Sequence, residues 1–151
     1  MIKIICVGKL KEKFLRDAID EYKKRLSKYT DLEIIEVPDE GLVDAKTALK
    51  KESEKILKYI NLKDYIITLE IEGKELTSTE LANKLNTIYT VNSNITFIIG
   101  GSYGLGEDIK GLSTFKLSFS KMTFPHQLMR MLLMEQIYRA FRIIKNEPYH
   151  K

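Results

Sequence analysis

The sequence predicts an α/β protein, a single domain spanning residues 1–151 and built on a parallel sheet. Three observations predict it. Short apolar runs rich in β-branched residues alternate with stretches of helical periodicity, the pattern of strands crossed over by helices. The runs, above all Ile95–Ile99 (ITFII), are nearly continuously apolar, as in strands covered on both faces. With 151 residues, 44% hydrophobic and 30% charged, the chain is long enough for one full core and shows no repeat or low-complexity tract.

The elements follow in order. Ile2–Val7 is a buried strand, broken by Gly8. From Glu12 to Tyr29 the apolar residues Phe14, Leu15, Ala18, Ile19, Tyr22, Leu26 and Tyr29 keep the i, i+3, i+4 spacing of an amphipathic helix. Leu32–Val37 is a second strand, closed by Pro38. Residues 44–60 form a second helix through Ala45, Ala48, Leu49, Ile56, Leu57 and Ile60, and its charged run is a solvated face. Tyr65–Glu70 is a third strand, expected to end by Gly73. Thr77 and Glu80 have capping-box spacing and open a helix that buries Leu81, Leu85 and Ile88. After Ile95–Ile99 come a glycine-rich loop, a helical turn at Glu107–Lys110 and a fifth strand, Phe115–Phe119. A hydroxyl-rich loop ends at Pro125, and a long apolar helix and a polar tail, Asn146–Lys151, close the chain.

That last helix carries more apolar surface than the single stripe one monomer needs, which predicts that a second copy covers part of it. Glu135, Gln136, Arg130 and Arg139 interrupt it too often for a membrane span, which needs about 20 consecutive apolar residues. The N-terminus has neither an apolar leader core nor a small-residue cleavage site, so a cytoplasmic protein is expected. One cysteine, Cys6, rules out an internal disulfide framework, and with two histidines a Cys/His zinc site cannot be filled; no metal is expected. The formal net charge of +4 lies wholly in residues 121–151, with six basic and two acidic residues, while the first 120 balance at 19 of each. An anionic partner would therefore meet the last segment.

Ligands of an open parallel sheet bind beyond the carboxyl ends of its strands. Three loops there have unusual composition: Leu69–Lys74, Gly100–Gly106 and Phe119–Phe124. Four glycines among the seven residues 100–106 indicate a sharp turn or close approach of backbone to a ligand. Neither a dinucleotide fingerprint nor a P-loop occurs. Gly100-Gly101-Ser102-Tyr103-Gly104 does match the G-x-S-x-G form of a hydrolase elbow, with Asp108 and His126 as the remaining triad members. Against that, Asp108 is only six residues from Ser102, and no segment supplies an oxyanion hole.

Three stretches in order, IIGGSYGLG, LSFSKMTFPHQLMRMLLMEQIYRA and the terminal NEPYHK, together with LEIEGK, resemble the ribosomal RNA large subunit methyltransferase H family of the SPOUT methyltransferases. The resemblance runs the whole chain. It implies a C-terminal trefoil knot, a topology that fold rules alone would disfavour. It also implies an S-adenosylmethionine site on Leu69, Gly100, Phe119, Ser120, Lys121, Met122, Thr123 and Phe124, a homodimer, and methylation of N3 of a pseudouridine in 23S rRNA on the assembled ribosome. Ser102-Tyr103 stands where other members carry Pro-Glu, and Phe119 and Phe124 where others carry leucine; neither change removes a needed functional group. N3 must lose a proton, for which His126, Tyr149 and His150 are the candidates, while Arg130 and Arg142 suit RNA phosphate. A ribosome-binding factor without chemistry is the alternative, and binding of S-adenosylmethionine separates the two.

Overall fold

The computed structural model describes all 151 residues, Met1–Lys151. Five strands, β1 (Ile2–Val7), β2 (Leu32–Val37), β3 (Tyr65–Glu75), β4 (Ile95–Ile99) and β5 (Phe115–Ser118), form one parallel sheet in the order β2-β1-β4-β3-β5. Helices α1 (Lys13–Leu26), α2 (Ala45–Leu57), α3 (Ser78–Tyr89), α4 (Glu107–Lys110) and α5 (His126–Ile144) cover both faces.

The period-two alternation of β1 divides the core. Ile2, Ile4 and Cys6 face α1, α3 and α5 and join Phe97, Ile19, Leu85 and Ile137 in the larger cluster. Ile5 and Val7 face the other way, against Ile56 of α2 and Ile109 of α4. Burial pushes the Cys6 thiol up to about 12, the state of an inert core cysteine.

Helix α3 begins as its sequence predicts: Glu80 N–H donates to Thr77 Oγ1 (3.1 Å), and Thr77 N–H donates to Glu80 Oε1 (2.8 Å). α1 is shorter than its periodicity suggests, ending at Leu26, with Tyr29 in the turn beyond. β3 departs further, since it continues through Gly73 to Glu75 and breaks register against β5 between Leu69 and Lys74. Gly73 permits this extension. A Cβ there would lie 2.7 Å from the Lys116 carbonyl oxygen, so only glycine lets the two backbones pass so closely. The excursion of residues 70–73 from the ladder holds the Glu70–Glu72 loop at the carboxyl end of the sheet.

Helix α5 packs between α1 and α3. Leu133, Met134, Ile137, Ala140 and Phe141 are buried there within one chain, so this domain itself covers much of the apolar surface. Leu128, Met131 and Leu132 remain half-buried on another side of the helix. The helix ends in a Schellman motif: Asn146, at φ 57°, donates to Ile143 O (3.0 Å), and Glu147 N–H donates to Arg142 O (2.8 Å). That left-handed residue turns the tail back along α5.

Candidate active site

A cavity of about 430 Å³ opens beyond the carboxyl ends of β3, β4 and β5. Strand order explains its position, because β4 and β5 flank β3 and so bring the three composition-marked loops together. Leu69, Gly100, Phe119, Ser120, Met122, Thr123 and Phe124 all line it. Lys121 does not; its side chain is exposed outside the wall. Ile99, Leu117 and Met129 give the wall apolar area, and Glu70, Ser120 and Thr123 supply polar groups. A mainly apolar pocket with a few polar groups suits a ligand with a flat apolar part and polar ends, as S-adenosylmethionine has.

The loops are fixed from within. Ser118 Oγ donates to Ser120 O (3.1 Å), and Met122 N–H donates to Ser120 Oγ (3.0 Å). In the glycine loop, Gly104 N–H donates to Gly101 O (3.0 Å), and Gly104 adopts φ 76°. A Cβ on Gly100 would lie 2.4 Å from Gly104 O, so this turn closes on its own backbone before any ligand is considered.

Ser102 and His126 line the same cavity but share no hydrogen bond, and the exposed Asp108 turns its Oδ1 to Ile109 N–H (3.1 Å). The hydrolase triad is not assembled.

His126 lies where α5 starts, at the rim of the cavity and against the turn after β1. A Cβ on Gly8 would meet its Nε2 at 2.9 Å. Gln127 Oε1 accepts Lys11 N–H (3.1 Å) and pins the same turn. Burial holds the His126 pKa below its ordinary value; Asp39 opposes the shift, and Arg130 and Lys11 add to it. At neutral pH the imidazole is therefore uncharged and can accept a proton. The folded pKa is depressed, so the favourable contribution is complete above the unfolded value of about 6.5 and is lost as pH falls from there through the lower folded value. His126→Gln should accordingly be less acid-sensitive than wild type between about pH 7 and 5 in denaturant titrations; parallel stability profiles would contradict this.

Tyr149 and His150 are not brought to His126. The tail lies along α5 nine residues further on, about 13 Å along the helix axis. Tyr149 packs edge-on against Tyr138 (centroids 4.9 Å apart), and its hydroxyl donates to Glu135 Oε2 (3.2 Å). Burial, with the Glu135 charge adding to it, pushes that hydroxyl up to about 12, so at neutral pH Tyr149 acts as a donor and not as a base. His150 Nδ1 accepts from Arg139 Nη1 (3.2 Å), and Arg139 in turn holds Glu135 (3.0 Å).

Both arginines expected at RNA phosphate make hydrogen bonds within the chain. Arg130 is 1% exposed and donates to Glu36 Oε2 (2.6 Å) and Gly8 O (3.0 Å). Arg142 donates to Glu147 Oε2 (2.7 Å), Tyr29 Oη (3.3 Å) and Pro148 O (2.8 Å), fastening the tail. A positive charge in the sequence says nothing about whether the fold has already paired it. Sequence reasoning also missed Glu70 and Lys110 in the cavity wall, although Glu70 adjoins Leu69 in a loop already marked by composition.

This fold and this cavity define the class, and comparison with known proteins agrees. The family model described as "Predicted SPOUT methyltransferase" matches residues 1–150. A relative from Methanococcus maripaludis (strain C5) is 59% identical over 157 residues, with 99% of each chain covered. The ribosomal RNA large subunit methyltransferase H of Alkaliphilus oremlandii is 55% identical over 159 residues, again across 99% of both. Among solved structures, a probable methylase family protein from Haemophilus influenzae shares the fold at TM-score 0.59 and 17% identity, covering 99% of this chain and 70% of that one. The tRNA (m1G37) methyltransferase of Aquifex aeolicus does so at 0.53 and 12%, covering 91% and 69%. The chain belongs to the SPOUT methyltransferases and, within them, to the ribosomal RNA large subunit methyltransferase H family.

Proposed function

We propose that this protein transfers the methyl group of S-adenosylmethionine to N3 of a pseudouridine in 23S rRNA, acting in the cytoplasm as a homodimer on the assembled ribosome. The observation that carries the reading is the cavity. Seven of the eight residues to which the family resemblance assigns the cofactor line one pocket, although they come from β3 and two separate loops. The knot remains part of the same proposal, supported by the family.

The chain's own residues need only hold, orient and deprotonate. A methyl on a sulfonium is already activated, so rate comes from aligning an in-line attack. The self-bonded loops after β4 and β5 supply rigid walls for that alignment. His126, neutral and at the rim, is the group suited to take the N3 proton. With Arg130 and Arg142 engaged internally, the exposed Lys9, Lys11, Lys121 and Lys145 are the residues suited to RNA phosphate.

S-adenosylmethionine or S-adenosylhomocysteine, but not NAD or ATP, should raise the melting temperature. At a hundredfold excess over Kd the stabilisation is about 2.7 kcal/mol. A protein whose melting ignores both adenosyl ligands would sink the reading, leaving a passive ribosome-binding factor in its place.

The dimer rests on Leu128 and Leu132, half-buried apolar residues of α5 that the monomer's own core clusters leave out. Leu132→Glu should shift the sedimenting species from dimer to monomer with the monomer fold intact. Leu133 would be the wrong probe, because it is fully buried within one chain. A wild type that sediments as a monomer at micromolar concentration would end the homodimer proposal.

A further inference from the structure

We propose that Glu70 lets this cavity tell the charged methyl donor from its spent product; the inference rests on the S-adenosylmethionine reading above. Glu70 lines the cavity, and its side chain is only 10% exposed. It is held firmly. Thr68, fully buried in β3, places its hydroxyl 2.6 Å from Glu70 Oε2, within reach to donate to it. Ser113 Oγ lies 2.7 Å from that same Thr68 oxygen and is itself bonded to Phe115 O (2.8 Å). The other carboxylate oxygen, Oε1, has only Lys110 Nζ, 4.0 Å away and beyond hydrogen-bond reach. The cavity wall carries Glu70 and Glu72 against Lys110, so it is negative by one charge.

The chemistry of the ligand gives this charge a use. S-adenosylmethionine carries a sulfonium, an ammonium and a carboxylate, for a net charge of +1. Transfer leaves the carbon–sulfur bond pair on sulfur, while the carbon bonds the acceptor nitrogen in place of its departing proton. The remaining thioether ligand is neutral overall. A fixed carboxylate in a half-enclosed cavity therefore favours the donor over the product, and the preference disappears once the methyl has moved. A carboxylate that merely held the ribose hydroxyls would treat the two ligands alike, since both contain them.

Isothermal titration of the full-length protein with S-adenosylmethionine, S-adenosylhomocysteine and sinefungin (an unreactive analogue with an ammonium on the carbon replacing the sulfonium) tests this. In Glu70→Gln, which keeps an acceptor for Thr68, the affinities for S-adenosylmethionine and sinefungin should fall about tenfold while that for S-adenosylhomocysteine barely changes. Lys110→Ala should move the ratio the opposite way, and it does not disturb the Thr68 hydrogen bond. Equal weakening of all three ligands by Glu70→Gln, or an unchanged ratio in both variants, overturns the charge assignment but leaves the methyltransferase reading standing. A wild type that binds none of the three overturns both.

Discussion

Glu36→Ala is expected to destabilise the fold by about 3–5 kcal/mol, the cost of leaving a buried charge without its partner. For a chain of this size that lowers the melting temperature by about 10 °C. Glu36 Oε2 is the one carboxylate oxygen on the guanidinium of Arg130, whose side chain is 1% exposed; the other partner is the Gly8 carbonyl. The same oxygen accepts Leu10 N–H (3.0 Å), so the substitution also frees the turn between β1 and α1. The reverse change is milder. In Arg130→Met the stranded group is Glu36, whose side chain is 35% exposed and can be hydrated. The double variant, with no buried charge left, should recover part of the loss relative to Glu36→Ala. Thermal and urea unfolding of the three variants decides it. If Arg130→Met proves the more damaging single change, desolvation is not what governs this pair.

Deleting Pro148–Lys151 should abolish methylation of ribosomes while S-adenosylmethionine affinity stays within about twofold, because residues that act on RNA or on the transition state leave cofactor binding untouched. The folded state should weaken by about 1–2 kcal/mol, from loss of the Tyr149–Tyr138 contact and of the hydrogen bonds to Glu135 and Pro148 O. Within one chain the tail lies at Glu135, far from His126, so on this proposal it serves the cavity of the second copy. Dimers mixing a truncated subunit with a His126→Gln subunit should then keep one working site, while each variant alone is inactive. Normal methylation by the truncated protein would reduce the tail to a helix cap and leave His126 as the sole candidate. Loss of cofactor binding would move the tail into the cofactor cavity.

The sequence by itself determined the elements and the site loops. Short, nearly continuous apolar runs rich in β-branched residues such as ITFII read as strands covered on both faces, and Thr77 with Glu80 marks the start of α3 because a capping box is a local arrangement. The glycine density at 100–106 was legible for the same reason: in a turn where a Cβ on Gly100 would lie 2.4 Å from Gly104 O, a side chain is excluded. What the tertiary structure alone decided is pairing over long separations. Strand order put the irregular stretch of β3 and the loops after β4 and β5 around one cavity, and no local signal encodes that β5 lies beside β3. Arg130 and Glu36 are 94 residues apart, so the composition shows their charges but not that the fold has paired them. Gly73 looked like the end of a strand and instead lets β3 pass against β5, since its missing Cβ matters only where another backbone arrives. Local sterics and periodicity are written along the chain; which charges remain free is decided by what folds against them.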